Sequence, residues 1–190
     1  MQSLRIFLAI DVSSGVKTRA NDLIDQWSES GAAVKWVSNE QMHLTLNFLG
    51  DVPVEETPAI CRIAKEVAAG HPSFGLTVKG AGAFPNLNSP RVVWLGVEEG
   101  SDPLKALQRD LEQRLGESGF AIENRSYSPH LTLGRVLKSG GSLEELTAWV
   151  RRTQYYNAGP TRVDEVLVMS SVQERGGSLY HVVCRAPLGG

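Results

Sequence analysis

The tetrapeptide His43-Leu44-Thr45-Leu46 returns unchanged as His130-Leu131-Thr132-Leu133, 87 residues later in a chain of 190. The same displacement lays Leu8-Ala9-Ile10-Asp11 on Leu95-Gly96-Val97-Glu98. Two half-chains with one order of motifs point to an internal duplication. One period and two copies cannot build a solenoid, so the repeat implies two lobes related by a pseudo-two-fold axis.

Hydrophobic periodicity fills in the two halves. Residues 4–11 form an apolar run closed by Asp11, as a buried strand does. Val16, Ala20, Leu23, Ile24 and Trp27 recur at helical spacing, predicting a helix over 14–30 with Gly31 as its stop. Strands follow at 34–37 and 43–49. A second amphipathic helix over 54–69 carries Ile60, Ile63, Ala64 and Val67 and is ended by Gly70 and Pro72. Residues 74–78 read as a strand, 80–90 as a loop rich in Gly, Pro and Asn, and 91–97 as a strand. The order then restarts. Leu104, Leu107, Leu111 and Leu115 mark a helix over 102–118, followed by strands at 120–123 and 130–136. A helix at 143–152 and strands at 162–170 and 179–185 complete the chain. Helices placed between strands cover sheet faces, giving an α+β or α/β layered build in one bilobal domain, residues 1–190.

Composition narrows the function. Hydrophobic residues make up 42% and charged residues 21%, values of an ordinary folded domain. Net charge is −2, and Arg151-Arg152 is the one adjacent basic pair, so a long duplex footprint is not expected. Short or terminal nucleic acid held in a local groove stays open. Cys61 and Cys184 lack metal-ligand spacing and sit among apolar neighbours. Both read as small core residues in a reducing compartment. No stretch approaches the ~18–20 apolar residues of a membrane span, and the first apolar run is too short for a signal segment. A soluble, cytoplasmic chain without membrane association is expected.

The repeated tetrapeptide carries the chemistry. Side chains of a strand alternate between faces, so His43 and Thr45 point one way while Leu44 and Leu46 point the other. His130 and Thr132 do the same. If the lobes meet about a pseudo-dyad, two imidazoles and two hydroxyls face one cleft. In-line displacement at phosphorus needs a base on the attacking oxygen and an acid on the leaving one. Histidine titrates near neutrality and serves in either role. Threonine hydroxyls can donate to the non-bridging oxygens. A lone His-x-Thr in a strand is commonplace, but two identical copies at matching places are not. Zinc is the other use for two histidines, although no Asp, Glu or Cys stands at an evident partnering position. No cofactor and no metal are expected.

These residues resemble the two-histidine phosphoesterase superfamily, in particular its RNA 2′,3′-cyclic phosphodiesterase branch, historically called 2′-5′ RNA ligase. The resemblance rests on HLTLNFLG at 43–50 and SPHLTLGRV at 128–136, with RIFLAID at 5–11, WV at 36–37 and FPN…PRVVWLGV at 84–97. It implies an α+β bilobal fold, with two mainly antiparallel sheets facing across a central cleft and helices outside. It implies hydrolysis of a terminal 2′,3′-cyclic phosphate to a 2′-phosphate without metal. It further implies that His43 protonates the leaving 3′-oxygen and that His130 activates water. Thr45 and Thr132 would bind the phosphate. The partners would be RNA 3′ ends or short oligonucleotides bearing the cyclic phosphate, met by a monomer.

Other residues carry weaker expectations. Arg135 suits a phosphate, but strict alternation turns it away from His130 unless the strand ends or bulges near Gly134. Phe48 could stack a terminal base, yet alternation places it with Leu44 and Leu46 in the core. Tyr127 stands at a strand entrance, and Phe84-Pro85-Asn86 could rim the cleft. His71 reads as a solvated turn residue, and His181 as a strand residue that packs or faces solvent. Trp27, Trp36, Trp94 and Trp149 read as core.

Three other functions stay open at this point. A small cyclic nucleotide, such as ADP-ribose 1″,2″-cyclic phosphate, would use the same histidines. A non-catalytic RNA-end binding module is disfavoured, since phosphate binding alone is better served by Arg or Lys. Ligation of 2′-5′ ends is the third, as a side activity.

Overall fold

In the computed structural model, which describes residues 2–123, 126–137, 143–174 and 177–190, the duplicated motif lies at the middle of a mainly antiparallel sheet. The strands are β1 (Ser3–Asp11), β2 (Val34–Trp36), β3 (His43–Pro53), β4 (Phe74–Phe84), β5 (Val92–Val97), β6 (His130–Val136), β7 (Asn157–Val163), β8 (Glu165–Glu174) and β9 (Gly177–Pro187). The helices are α1 (Ser14–Ser28), α2 (Thr57–Ala69), α3 (Ser101–Glu117) and α4 (Leu143–Arg152). Sheet order is β7-β4-β5-β6-β3-β1-β8-β9, with β2 attached to β6. Four strands of this path lie on each side of the β6–β3 junction. That junction is a single ladder pair, Leu44 opposite Leu131. The expected α+β bilobal architecture is therefore observed, its two antiparallel sheets being halves of one sheet held by one pair.

The halves are interlocked by their helices. α1 follows β1 in sequence, yet it packs against β7 of the other half. Ser13 caps the helix by accepting from the Val16 N–H at 3.2 Å, and its own hydroxyl donates to the Pro160 carbonyl at 2.8 Å. Its backbone N–H donates to Thr161 at 3.0 Å, so the cap also ties the helix to the far lobe. α3 correspondingly follows β5 but packs on α2 and β3. The buried stripes are those the periodicity marks: Val16, Ala20, Leu23, Ile24 and Trp27 on α1, and Leu104, Leu107, Leu111 and Leu115 on α3. Because each sheet half takes a helix from the opposite copy, one apolar core runs through both lobes.

Several element boundaries differ from the sequence reading. The strand expected at 120–123 is absent; those residues follow α3 without pairing into the sheet. β4 continues to Phe84, so the first part of the expected loop is ladder against β5. The strand expected over 162–170 is two, β7 and β8, pairing with β4 and β1 in opposite halves. The second helix starts at Thr57, preceded by a short 3-10 turn over Val54–Glu56. His71 is not solvated: its ring bonds the Asp110 carboxylate at 3.0 Å, joining the end of α2 to α3. Cys61 and Cys184 are half-buried rather than fully interior, and neighbour each other across α2 and β9.

Candidate active site

Register explains how the two motifs face one cleft. β3 pairs with β1 as Ala9↔Thr45 and Leu8↔Asn47, leaving Leu46 as an extra residue on β3. β6 pairs with β5 as Trp94↔Thr132 and Val93↔Gly134, leaving Leu133 extra on β6. Each motif strand thus carries a bulge immediately after its His-x-Thr. A bulge restarts the alternation, so residues that would point into the core change faces. Leu46 and Asn47 are both buried, and Leu133 is buried beside Gly134. Phe48 and Arg135 consequently join Thr45 and Thr132 on the cleft wall. The bulge required for Arg135 is present, and the core placement expected for Phe48 is overturned by its counterpart. Phe48 is half-buried, with the Arg5 guanidinium 5.0 Å above its ring.

The two histidines are held alike. His130 Nδ1 lies 2.8 Å from the Ser128 carbonyl. A carbonyl only accepts, so Nδ1 carries the proton and the neutral ring has its lone pair on Nε2. His43 bonds the backbone of Gln41, likewise two residues upstream, while its Nε2 lies 3.0 Å from the Thr45 hydroxyl. Aromatic rings flank both. Phe7 stacks on His43 at 5.0 Å and Tyr180 meets it edge-on at 5.4 Å. Phe84 meets His130 edge-on at 4.9 Å, with Trp94 at 6.3 Å. Trp94 thus packs behind His130, its ring lying across Gly82, where an added Cβ would meet it at 2.4 Å.

The surroundings of His43 shift its charge state. Burial disfavours the imidazolium and pushes the pKa down from 6.5 to about 4. The Gln41 bond and the Asp11 carboxylate oppose this, the latter offset by Lys17, which it pairs with at 2.8 Å. Positive charge on His130 adds to the downward shift, so the two rings sense each other electrostatically.

Two cavities meet at the motif strands. One of about 410 Å³ surrounds His43 and includes Arg5, Gln41, Ser171, Gln173 and Ser178. The other, of about 510 Å³, surrounds His130 and includes Phe84, Tyr127 and Asn47. Thr45, Phe48, Thr132 and Arg135 line both. The hydroxyl pair and the guanidinium thus stand between the imidazoles. Among the described residues, no group of three or more His, Cys, Asp or Glu is gathered as a metal site. No helix among them is long and apolar enough to cross a membrane.

Residues 16–175 match the 2′-5′ RNA ligase superfamily. The chain belongs to that superfamily. A Thermotoga maritima protein described as an RNA 2′,3′-cyclic phosphodiesterase is 37% identical over 180 residues, 95% of this chain and 93% of that one. A Methanothermobacter thermautotrophicus protein of the same description is 36% identical over 177 residues, 93% and 95% of the two chains. Among solved structures, Escherichia coli LigT complexed with 3′-AMP superposes over the full length of both chains with a TM-score of 0.77 and 28% identity. The Thermus thermophilus protein TT0787 gives 0.80 with 25% identity over 98% of each chain.

For this member of the 2′-5′ RNA ligase superfamily, motif reading missed Arg5, Phe7, Asn47, Trp94 and Tyr180. One signal was available. Phe7 and Trp94 are themselves 87 residues apart, so the repeat marks an aromatic beside each histidine. His181, by contrast, is exposed on β9.

Proposed function

We propose that this chain hydrolyses the 2′,3′-cyclic phosphate at RNA ends to a 2′-phosphomonoester, with His43 as general acid and His130 as general base. The observation that carries the reading is the paired geometry: each cavity holds one imidazole, and both share Thr45, Thr132 and Arg135. A phosphate between the hydroxyls would be approached by His130 from one cavity and His43 from the other, as in-line displacement requires. His130 Nε2 takes a proton from water as the water oxygen attacks phosphorus. The phosphorus–O3′ bond breaks, and O3′ receives the proton of the His43 imidazolium. Thr45, Thr132 and Arg135 hold the non-bridging oxygens. In the free enzyme His43 is neutral at pH 7 and accepts from the Thr45 hydroxyl. The anionic phosphate favours its protonation, so the acid is charged by the substrate it acts on. Relatives described as RNA 2′,3′-cyclic phosphodiesterases support the substrate class.

The test compares wild type, His43→Ala and His130→Ala on an oligonucleotide and a mononucleotide 2′,3′-cyclic phosphate, with EDTA present. Each variant is expected to lose about 10²–10⁴-fold in kcat while keeping the native circular dichroism. Near-normal turnover by either variant overturns the assignment. Turnover of ADP-ribose 1″,2″-cyclic phosphate alone would move the substrate to a small nucleotide.

A further inference from the structure

The chain has two cysteines, which take no part in the hydrolytic steps, and the fold brings them together. Cys61 lies on α2 and Cys184 on β9, and the helix packs against that strand. β9 pairs with β8 as Val168↔Cys184 and Met169↔Val182, leaving Val183 as an extra residue on β9. Plain alternation would give Cys184 the face of Tyr180, whose ring meets His43 in the cleft. The bulge re-aims it. Cys184 instead points to the helix side of the sheet, where its thiol hydrogen-bonds with that of Cys61.

Backbone bonds hold the meeting in place. Beyond Cys184, the Gly189 N–H donates to the carbonyls of Ala68 at 3.2 Å and His71 at 2.8 Å, and the Gly189 carbonyl accepts from the Ser73 N–H at 3.1 Å. The end of β9 is thus tied to the end of α2. Both thiols are half-buried at the margin of the core, so a small reagent can reach them. Lys65, one helical turn after Cys61, brings a positive charge to Cys184 and favours its thiolate. Upstream on the same strand, Tyr180 walls His43, and the Ser178 carbonyl accepts from the Gln41 amide at 2.8 Å. β9 ends the sheet and has β8 as its one ladder partner. Its packing on α2 is therefore the second hold on the strand that carries Tyr180.

We propose that Cys61 and Cys184 are a reversible redox pair, oxidised by a low-molecular-weight disulfide such as glutathione disulfide to a bond that clamps β9 onto α2. Burial, with Cys61 beside it, pushes the Cys184 pKa up to about 12, so the exchange begins at Cys61. The Cys61 thiolate attacks one glutathione sulfur and expels the other as a thiolate, leaving a mixed disulfide. Cys184 then gives up its proton and attacks the Cys61 sulfur, expelling the second glutathione. Two protein thiols are oxidised, one glutathione disulfide is reduced to two thiols, and the protons lost by the protein pass to them. A disulfide this accessible is of the labile, regulatory kind, made and broken with the redox state of its surroundings. The proposal is independent of the hydrolytic reading and uses none of its residues.

The test equilibrates the native chain with mixtures of glutathione and glutathione disulfide, quenches with acid, and reads intact mass and free thiols under denaturing conditions. Wild type is expected to lose both thiols without gaining glutathione mass, to stay free of links between chains, and to recover both thiols in dithiothreitol. Cys184→Ser should stop at a single glutathione adduct on Cys61. Cys61→Ser should react about tenfold or more slowly than that variant, because Cys184 keeps its proton. Thiols that survive in wild type, stable glutathione adducts on it, or disulfides between chains overturn the pair. The clamp is read separately by urea denaturation of oxidised and reduced wild type, which needs no variant. The midpoint of the oxidised form should lie higher, since the bond constrains the unfolded chain between residues 61 and 184. Cys61→Ser and Cys184→Ser should show no such shift between the same two buffers. Equal midpoints in oxidised and reduced wild type overturn the clamp.

Discussion

Leu44 lies directly opposite Leu131 in the one ladder pair that joins β3 to β6, and the two leucines are equivalent positions of the repeat. The pseudo-dyad therefore passes between them. Everything that faces the cleft is placed by its offset from this pair. His43 and Thr45 flank one leucine, and His130 and Thr132 flank the other. A sheet that is four strands wide on either side narrows here to a single contact, so the site sits at the hinge-like seam of the fold.

That seam should be sensitive to volume. Leu44 and Leu131 are both fully buried. Truncating either to alanine removes core atoms and leaves a cavity, an expected cost of ~2–5 kcal/mol. The double variant should lose less than the sum, because the two side chains share one space. Urea denaturation of the three variants checks this. Additive losses would mean that the leucines do not sense each other.

Arg135 reaches the cleft only through the bulge at Leu133. If it holds a phosphate oxygen, Arg135→Ala should lower kcat/KM by about 10–100-fold, the worth of a charged hydrogen bond. Lysine should restore part of it, since it keeps the charge and loses the fork. Steady-state kinetics on a 2′,3′-cyclic nucleotide give the answer. A variant with unchanged kcat/KM would assign the guanidinium to the surface.

The two bulges also mark the limit of what the sequence discloses. His43, Thr45, His130 and Thr132 precede them, so plain alternation orients all four. Phe48 and Arg135 follow them, and alternation turns both to the wrong face. A bulge depends on the register of the partner strand; Gly134 marks a place for one in HLTLGRV, but nothing in HLTLNFLG announces its extra residue. The missing strand at 120–123 fails for a related reason. Phe120 and Ile122 have strand character, and the repeat demands a counterpart of β2, but pairing is a tertiary event. His71 was unreadable because its partner, Asp110, lies on another helix. The duplication itself was legible, and with it the bilobal fold and the motif pair.

Depression of the His43 pKa to about 4 has a kinetic signature. An acid protonated only below that value and a base neutral only above its own leave a small productive fraction at neutral pH. The acid limb of kcat/KM, which reports the free enzyme, should then lie near 4. In the complex the phosphate charge raises the His43 pKa, so the acid limb of kcat should lie higher. A pH–rate study with one buffer ionic strength measures both. Coincident limbs would show that substrate does not charge His43.

The same depression makes the fold sensitive to acid. Above 6.5 His43 is neutral in both folded and unfolded chains and costs nothing. As pH falls below 6.5 the unfolded chain takes up the proton, while the folded chain resists until about 4. The unfolded state binds more protons in that window, so stability drops as pH falls through it. Between about pH 7.5 and about pH 5 the expected loss from this one residue is ~2 kcal/mol. His43→Gln keeps a polar side chain of similar length and has no proton to gain. Its urea midpoint should therefore fall less than that of wild type over the same interval. Equal falls in the two proteins would show that the buried imidazole is not what acid attacks.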